Sequence, residues 1–190
     1  AIETLEQRGA RRIVVVPLLI SSASEVMRQY EYLLGLRDHG PWKEHVRPVA
    51  VRVPLAMTAP LDDDPVVSEV LLERAQQLSR SPESESVILI AHGPTGDEDN
   101  AQWLAAMGRI AARIRQQGRF RAVIPLTMRD DAPQPVQDEA TRQIREVVRT
   151  QSQEGRTLVI PVLLATGGVE AKIPRRLRGL SYAYRARTLL

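Results

Sequence analysis

Cysteine is absent from all 190 residues. The chain therefore has no disulfide framework, no thiol nucleophile and no cysteine-based zinc site. This composition is consistent with a reducing compartment and leads us to expect a cytoplasmic protein. Aromatic residues make up only 4% of the sequence, too few for a surface that stacks nucleic-acid bases. No apolar run approaches the roughly 20 residues that span a bilayer, so no membrane association is expected. The opening Ala1-Ile2-Glu3-Thr4-Leu5-Glu6 is not a signal peptide. It lacks an initiator methionine and reads as the middle of a helix, which predicts that the natural chain begins earlier. A Gly-rich Lys-Ser/Thr loop, a dinucleotide fingerprint, a Gly-x-Ser-x-Gly elbow and a His-Glu-x-x-His pair are all missing. Nucleotide, nicotinamide and serine-hydrolase chemistry lose support accordingly.

What is present is enough for a substantial core. The chain is 43% hydrophobic and 26% charged, with a net charge of +3 that comes almost entirely from arginine. Apolar, β-branched runs are predicted as strands at 13–20, 46–53, 87–91, 122–127, 158–164 and, more weakly, 182–187. Most are apolar on both faces, as parallel strands covered on both sides require. Helical stripes lie between them: Ala101, Leu104, Ala105, Met107, Ile110, Ala111 and Ile114 form one, and Val136, Ala140, Ile144, Val147 and Val148 another. Asp64-Pro65 reads as a helix start, and Thr95 with Glu98 as a capping box. This alternation predicts an α/β fold with a doubly wound parallel sheet and helices on both faces. The turn-rich segment 58–64 marks a boundary between a partial first lobe at 1–60 and a second lobe at 61–190. The segment 79–86 reads as a surface loop.

An internal repeat supports two related lobes. Val15-Val16-Pro17-Leu18-Leu19-Ile20-Ser21-Ser22 is similar to Val159-Ile160-Pro161-Val162-Leu163-Leu164-Ala165-Thr166. Each stretch is followed by a glutamate, Glu25 or Glu170, and then by a Gly-Leu pair.

Only three histidines occur, and His92 ends the run 87–91. In an open α/β sheet, ligands bind at the carboxyl ends of the strands, and an imidazole there can hold a metal or take a proton near neutral pH. Gly93 and Gly96 allow close backbone approach by a ligand. A histidine that merely hydrogen-bonds within its loop fits the same pattern. Glu170 follows Gly167-Gly168-Val169 on the same predicted edge. A first-turn acid stabilised by its helix dipole is the plain alternative. Together, His92 and Glu170 suit a borderline divalent metal or general-base work. Lys172, Arg175, Arg176, Arg178, Arg185 and Arg187 form either a solvated face or a surface for an acidic small molecule, without any DNA-binding signature. Arg129-Asp130-Asp131 is placed to contribute a charge to the same edge. Asp62-Asp63-Asp64 reads as helix-start acids more readily than as a cation site. His39 and His45 carry no assigned role.

Three segments carry a family resemblance: 13–19 with its small-residue loop, Ile90-Ala91-His92-Gly93, and 158–164 leading to Gly167-Gly168-Val169-Glu170 and Ile173-Pro174. They resemble the class II tetrapyrrole chelatases, in particular the sirohydrochlorin cobalt- and iron-chelatases. The resemblance implies two flavodoxin-like lobes, the first incomplete here. It implies ATP-independent insertion of Co²⁺ or Fe²⁺, the metal being substrate and no nucleotide being used, into sirohydrochlorin or a related tetrapyrrole on the way to cobalamin or siroheme. It implies His92 and Glu170 as catalytic and metal-binding residues, with Gly93, Gly167, Gly168, Lys172 and Arg175 holding the tetrapyrrole. Assembly of the chain with itself is left open. The sequence departs from the family pattern in three places. The first lobe lacks an opening strand with its His-Gly pair. Ser24-Glu25 stands where short cobalt chelatases often have a histidine, and Arg129-Asp130 matches a family acid only roughly. These departures keep a non-catalytic tetrapyrrole- or metal-binding protein as the alternative.

Overall fold

The computed structural model describes residues 1–190, which divide into two compact units, Ala1–Leu61 and Asp62–Leu190. The first unit contains α1 (Ile2–Gln7), β1 (Ile13–Val15), α2 (Glu25–Leu33), a 3₁₀ turn at Pro41–Glu44 and β2 (Leu55–Met57). β1 and β2 pair in parallel. Ser24 caps α2 by accepting the Met27 N–H at 3.2 Å, and the buried Tyr32 donates its hydroxyl to the Val46 carbonyl at 3.0 Å.

The strands expected at 13–20 and 46–53 are cut short, and proline is the reason. Pro17 has no N–H to give a ladder and restricts the residue before it, so β1 ends at Val15. Pro48 has the same effect, and the Val49 N–H goes to the Leu33 carbonyl at 2.8 Å. Pairing starts only at Leu55, after Pro54.

The second unit runs α3 (Pro65–Leu78), β3 (Ser86–Ala91), α4 (Asp97–Gly118), β4 (Ala122–Thr127), α5 (Gln134–Glu154), β5 (Thr157–Val162), α6 (Val169–Arg176) and β6 (Ala183–Tyr184). Its four strands are all parallel, in the order β4-β3-β5-β6. β3 and β5 are buried along their whole length, which explains why both read as unbroken apolar runs. On one face Ile88, Ile90 and Val159 pack with Ile144 and Val148 of α5 and with Ile173 and Leu177. α3 packs on α4, and these two helices contact β5 and β4.

Both strand prolines lie where no ladder donor is needed. The Met128 N–H reaches the Ala91 carbonyl at 2.9 Å, so the even-numbered amides of β4 face β3 and Pro125 faces the open edge. The Ser86 N–H reaches the Arg156 carbonyl at 3.0 Å, which turns Pro161 away from β3. It sits beyond the β5–β6 pairing, which ends at Val159↔Tyr184. Prolines are confined to such positions in sheets.

Asp64 caps α3 as expected, its carboxylate accepting the Val66 N–H at 2.9 Å with Pro65 in the first turn. The capping box at Thr95 and Glu98 does not form. The N-cap of α4 is Gly96, without a side-chain cap.

Glu85 pins the amino end of the sheet. It is 1% exposed and accepts from the Ser79 hydroxyl, from the Arg80 N–H at 3.0 Å and from Arg156 at 2.8 Å. Burial raises its proton affinity, but these donors outweigh burial and hold its pKa below the ordinary value. A depressed carboxylate contributes its stability above the ordinary pKa and loses it as pH falls through the folded one. Glu85→Gln is expected to cost about 3 kcal/mol at neutral pH, the low end for a broken buried pair because Arg156 is partly solvated. Urea titrations across pH check this: the gap to the unsubstituted protein should narrow in acid, and a gap independent of pH refutes the account.

Candidate functional site

The strand order creates one crevice. From β3 the chain moves outward to β4, and α5 then carries it back to β5 on the other side of β3. The loops after β3 and β5 therefore diverge at their carboxyl ends, where open α/β sheets bind ligands. Ala91 pairs with Val162, so His92 and Leu163 leave the sheet at the same level.

His92 has a defined tautomer in its neutral form. Its Nδ1 lies 3.0 Å from the Gly93 carbonyl oxygen. A carbonyl can only accept, so Nδ1 carries the hydrogen and Nε2 keeps its lone pair. Nε2 lies 3.6 Å from the Asp131 carboxylate, and the imidazole is 28% exposed. This is the state that ligates a metal or receives a proton, with the second ring nitrogen held by a backbone acceptor.

Gly93 is required by two features together. Its φ is +76°, a region open mainly to glycine. A Cβ at this position would also fall 2.5 Å from the Cβ of Thr127.

The loop after β4 braces the loop after β3. Arg129 is buried and adopts a left-handed backbone with φ +54°. Its N–H donates to the His92 carbonyl at 2.7 Å. Its guanidinium donates to the Pro94 carbonyl at 3.2 Å, to Asp97 at 2.6 Å and to the Thr95 carbonyl. The Thr95 carbonyl is thus held from the loop after β4, and Thr95 makes no cap. A groove of about 420 Å³ adjoins the brace, touching Asp97, Asn100, Thr127 and Arg129 but not His92.

Asp130 and Asp131 serve different elements. Asp131 faces His92. Asp130, with only 3% of its side chain exposed, pairs with Lys172 at 3.0 Å and with Arg176. Arg176 also donates to the Met128 carbonyl at 2.8 Å. Two of the cations that read as a surface for an acidic ligand thus share an internal carboxylate, while Arg175 and Arg178 lie exposed.

Glu170 occupies the first turn of α6 and is buried. Its carboxylate accepts the Gly167 N–H at 3.2 Å and the Gly168 N–H at 3.0 Å. Bonds from its own N–H and from the Gly167 N–H outweigh burial, with the Gly168 N–H adding to them, and together they lower its pKa. The Tyr184 hydroxyl donates to the Glu170 carbonyl at 2.6 Å. Burial, and then the nearby Glu170 charge, push the Tyr184 pKa up to about 12.

The structure thus sets His92 on the loop after β3 and Glu170 in the first turn of α6, after β5, with each side chain bonded within its own surroundings. No group of three or more His, Cys, Asp or Glu side chains converges to hold a metal ion. Asp63 pairs with Arg109 at 2.6 Å and with Arg113, so two of the three acids at 62–64 serve structure. His39 and His45 are exposed in the first unit. Arg129-Asp130-Asp131 lies on this edge, as its place after β4 predicts. The division into brace, internal ion pair and His92 partner is not legible in the sequence, because the left-handed turn that makes it occurs at Arg129 rather than at a glycine.

Several known proteins share features with the chain. Residues 1–78 match the family model for CbiX, the sirohydrochlorin chelatase family. That match spans the first unit and α3 and ends before His92 and Glu170. Among solved structures, SirB from Bacillus subtilis with Fe³⁺ superposes with a TM-score of 0.64 at 19% identity, covering 98% of this chain and 68% of that one. The DR2241 protein of Deinococcus radiodurans, described as multi-domain with structural similarity to chelatases and two additional novel domains, superposes with a TM-score of 0.52 at 18% identity. The match covers 93% of this chain and 38% of that one. No curated protein sequence matches the chain. No helix is long and apolar enough to cross a membrane. Residues 1–78 thus carry the match to the CbiX family, and the chain as a whole has a chelatase-like α/β fold.

Proposed function

We propose that this protein inserts a divalent metal, Co²⁺ or Fe²⁺, into sirohydrochlorin or a related tetrapyrrole without ATP, as a cytoplasmic lyase. The observation that carries the reading is His92 at the crevice of a parallel sheet, with Nε2 left as a lone pair by the Nδ1–Gly93 bond. The CbiX match and the chelatase-like fold supply its context.

Metallation replaces two pyrrole N–H protons by one M²⁺ and releases two H⁺. In this proposal the His92 Nε2 presents the metal or takes one of the protons. Asp131, 3.6 Å from Nε2, forms an ion pair with the imidazolium once that proton has arrived. Glu170, held ionised by its glycine amides, makes the crevice attractive to a cation; a depressed carboxylate is a weak base but a dependable charge. Gly167 and Gly168, with open space where a Cβ would stand, let the macrocycle approach the backbone, while Gly93 serves by letting the histidine loop pass close to Thr127. The exposed Arg175 meets the peripheral carboxylates of the macrocycle, and Lys172, half-exposed, does so only while also paired with Asp130.

The test is direct. Mixing the protein with sirohydrochlorin and Co²⁺, or anaerobically with Fe²⁺, should convert the absorption spectrum of the free macrocycle to that of the metal complex faster than the uncatalysed reaction. A rate equal to the protein-free control with both metals overturns the proposal. The second reading is a non-catalytic tetrapyrrole or metal carrier. It is favoured by the engagement of the Glu170 carboxylate with its own loop, and it predicts tight macrocycle binding with no spectral change on adding metal.

A further inference from the structure

We infer that Arg129 is a positioning residue for metal insertion: it sets the place and tautomer of His92 by clamping the loop that follows it, without touching the substrate. This inference rests on the proposed role of His92.

The loop after β3 has little to hold it by itself. It contains Gly93, Pro94 and Gly96, and α4 begins without a side-chain cap. Arg129 supplies the missing contacts from the loop after β4. Its guanidinium reaches two successive carbonyls, those of Pro94 and Thr95, and the Asp97 carboxylate. Its backbone N–H holds the His92 carbonyl at 2.7 Å. A buried guanidinium with these partners is costly to desolvate, and Asp97, its only anionic partner here, is 91% exposed. The other acceptors of Arg129 are backbone carbonyls, so what the guanidinium fixes is the path of the loop. The planar fork suits several fixed acceptors at once, whereas lysine offers a single nitrogen.

The consequence falls on the Nδ1–Gly93 bond. That bond needs the Gly93 carbonyl held beside the imidazole, and Gly93 lies between two clamped points, His92 and Pro94. If the clamp is released, the carbonyl can turn away and the tautomer is no longer fixed.

Two variants separate side chain from backbone. Arg129→Gly removes the guanidinium but keeps the N–H and tolerates the left-handed φ. Arg129→Lys keeps the charge and loses the fork. Imidazole ¹⁵N NMR on the labelled full chain, with His92 assigned by its loss in His92→Ala, reads the tautomer. The unsubstituted protein should show a protonated Nδ1 and an unprotonated Nε2 in its neutral form, and both variants a mixture. The kcat for metallation should fall about 10- to 100-fold, the effect of a misplacement near 1 Å, with KM changed less than about twofold because Arg129 does not meet the substrate. Retention of both the tautomer and kcat in Arg129→Lys overturns the inference. So does a fall in kcat with the tautomer intact. If the unsubstituted protein does not metallate, the functional reading fails, and the NMR comparison alone still decides whether Arg129 fixes His92.

Discussion

His92→Ala is expected to lower the rate of tetrapyrrole metallation by at least about 100-fold, within the range of roughly 10²–10⁴ that a positioned proton-transfer group contributes. The expectation follows from three particulars. The imidazole stands at the carboxyl end of a fully buried strand. Its Nδ1 is committed to the Gly93 carbonyl, so the ring can offer Nε2 without rotating. The opposing Asp131 is 75% exposed, so it remains solvated when the imidazole is removed and the fold is not burdened with a buried unpaired charge. Thermal unfolding should therefore change little while the rate collapses. The comparison needs both Co²⁺ and Fe²⁺, since either could be the working metal. A variant that metallates at the normal rate with both would remove His92 from the chemistry.

Gly93→Ala is expected to be the most damaging substitution in the same loop, and through the fold rather than through lost chemistry. Alanine at φ +76° is strained, and the new methyl carbon would lie 2.5 Å from the Cβ of Thr127. That atom sits on a paired strand and its hydroxyl bonds Asn100 at 2.7 Å, so it cannot yield as the far end of a flexible side chain would. Strain of this kind costs about 1–3 kcal/mol and overpacking costs about 1–3 kcal/mol. A loss of about 3 kcal/mol should appear as a lower urea midpoint, with metallation reduced as well because His92 is displaced. Gly167→Ala is the control: its added carbon meets nothing within 4 Å and its φ lies outside the left-handed range that strains an L side chain. Equal midpoints for the two variants would defeat the packing account.

Legibility from sequence followed burial. β3 and β5 can be read almost to the residue because two-sided burial leaves an unbroken apolar run, and β4, a half-buried edge strand, because its composition is equally apolar. The strands proposed at 13–20 and 46–53 were overdrawn because apolar composition outweighed Pro17 and Pro48, which remove ladder donors. At the site, the loops bearing His92 and Glu170 were predictable from strand order and glycine placement. Where the side chains point was not. The Glu170 carboxylate turns back to the amides of Gly167 and Gly168, a choice made by local loop geometry. The tautomer of His92 depends on Arg129, 37 positions away, and no local pattern encodes that contact. Lys172 and Arg176 looked like a basic face because helical spacing shows which residues are neighbours, but not that Asp130 from another loop sits between them.

Pro125 gives β4 a property that matters outside the folded unit. A bare strand edge invites another chain to continue the ladder, and that is a common route to fibrous association. Here the outward-facing amide at the middle of the edge does not exist, so a strand docking against it would lose a hydrogen bond at its centre. The site depends on β4 staying in place, because Thr127 and Arg129 at its end hold the histidine loop. The same proline thus discourages polymerisation along the edge and protects the strand that carries the brace from being recruited by a neighbour.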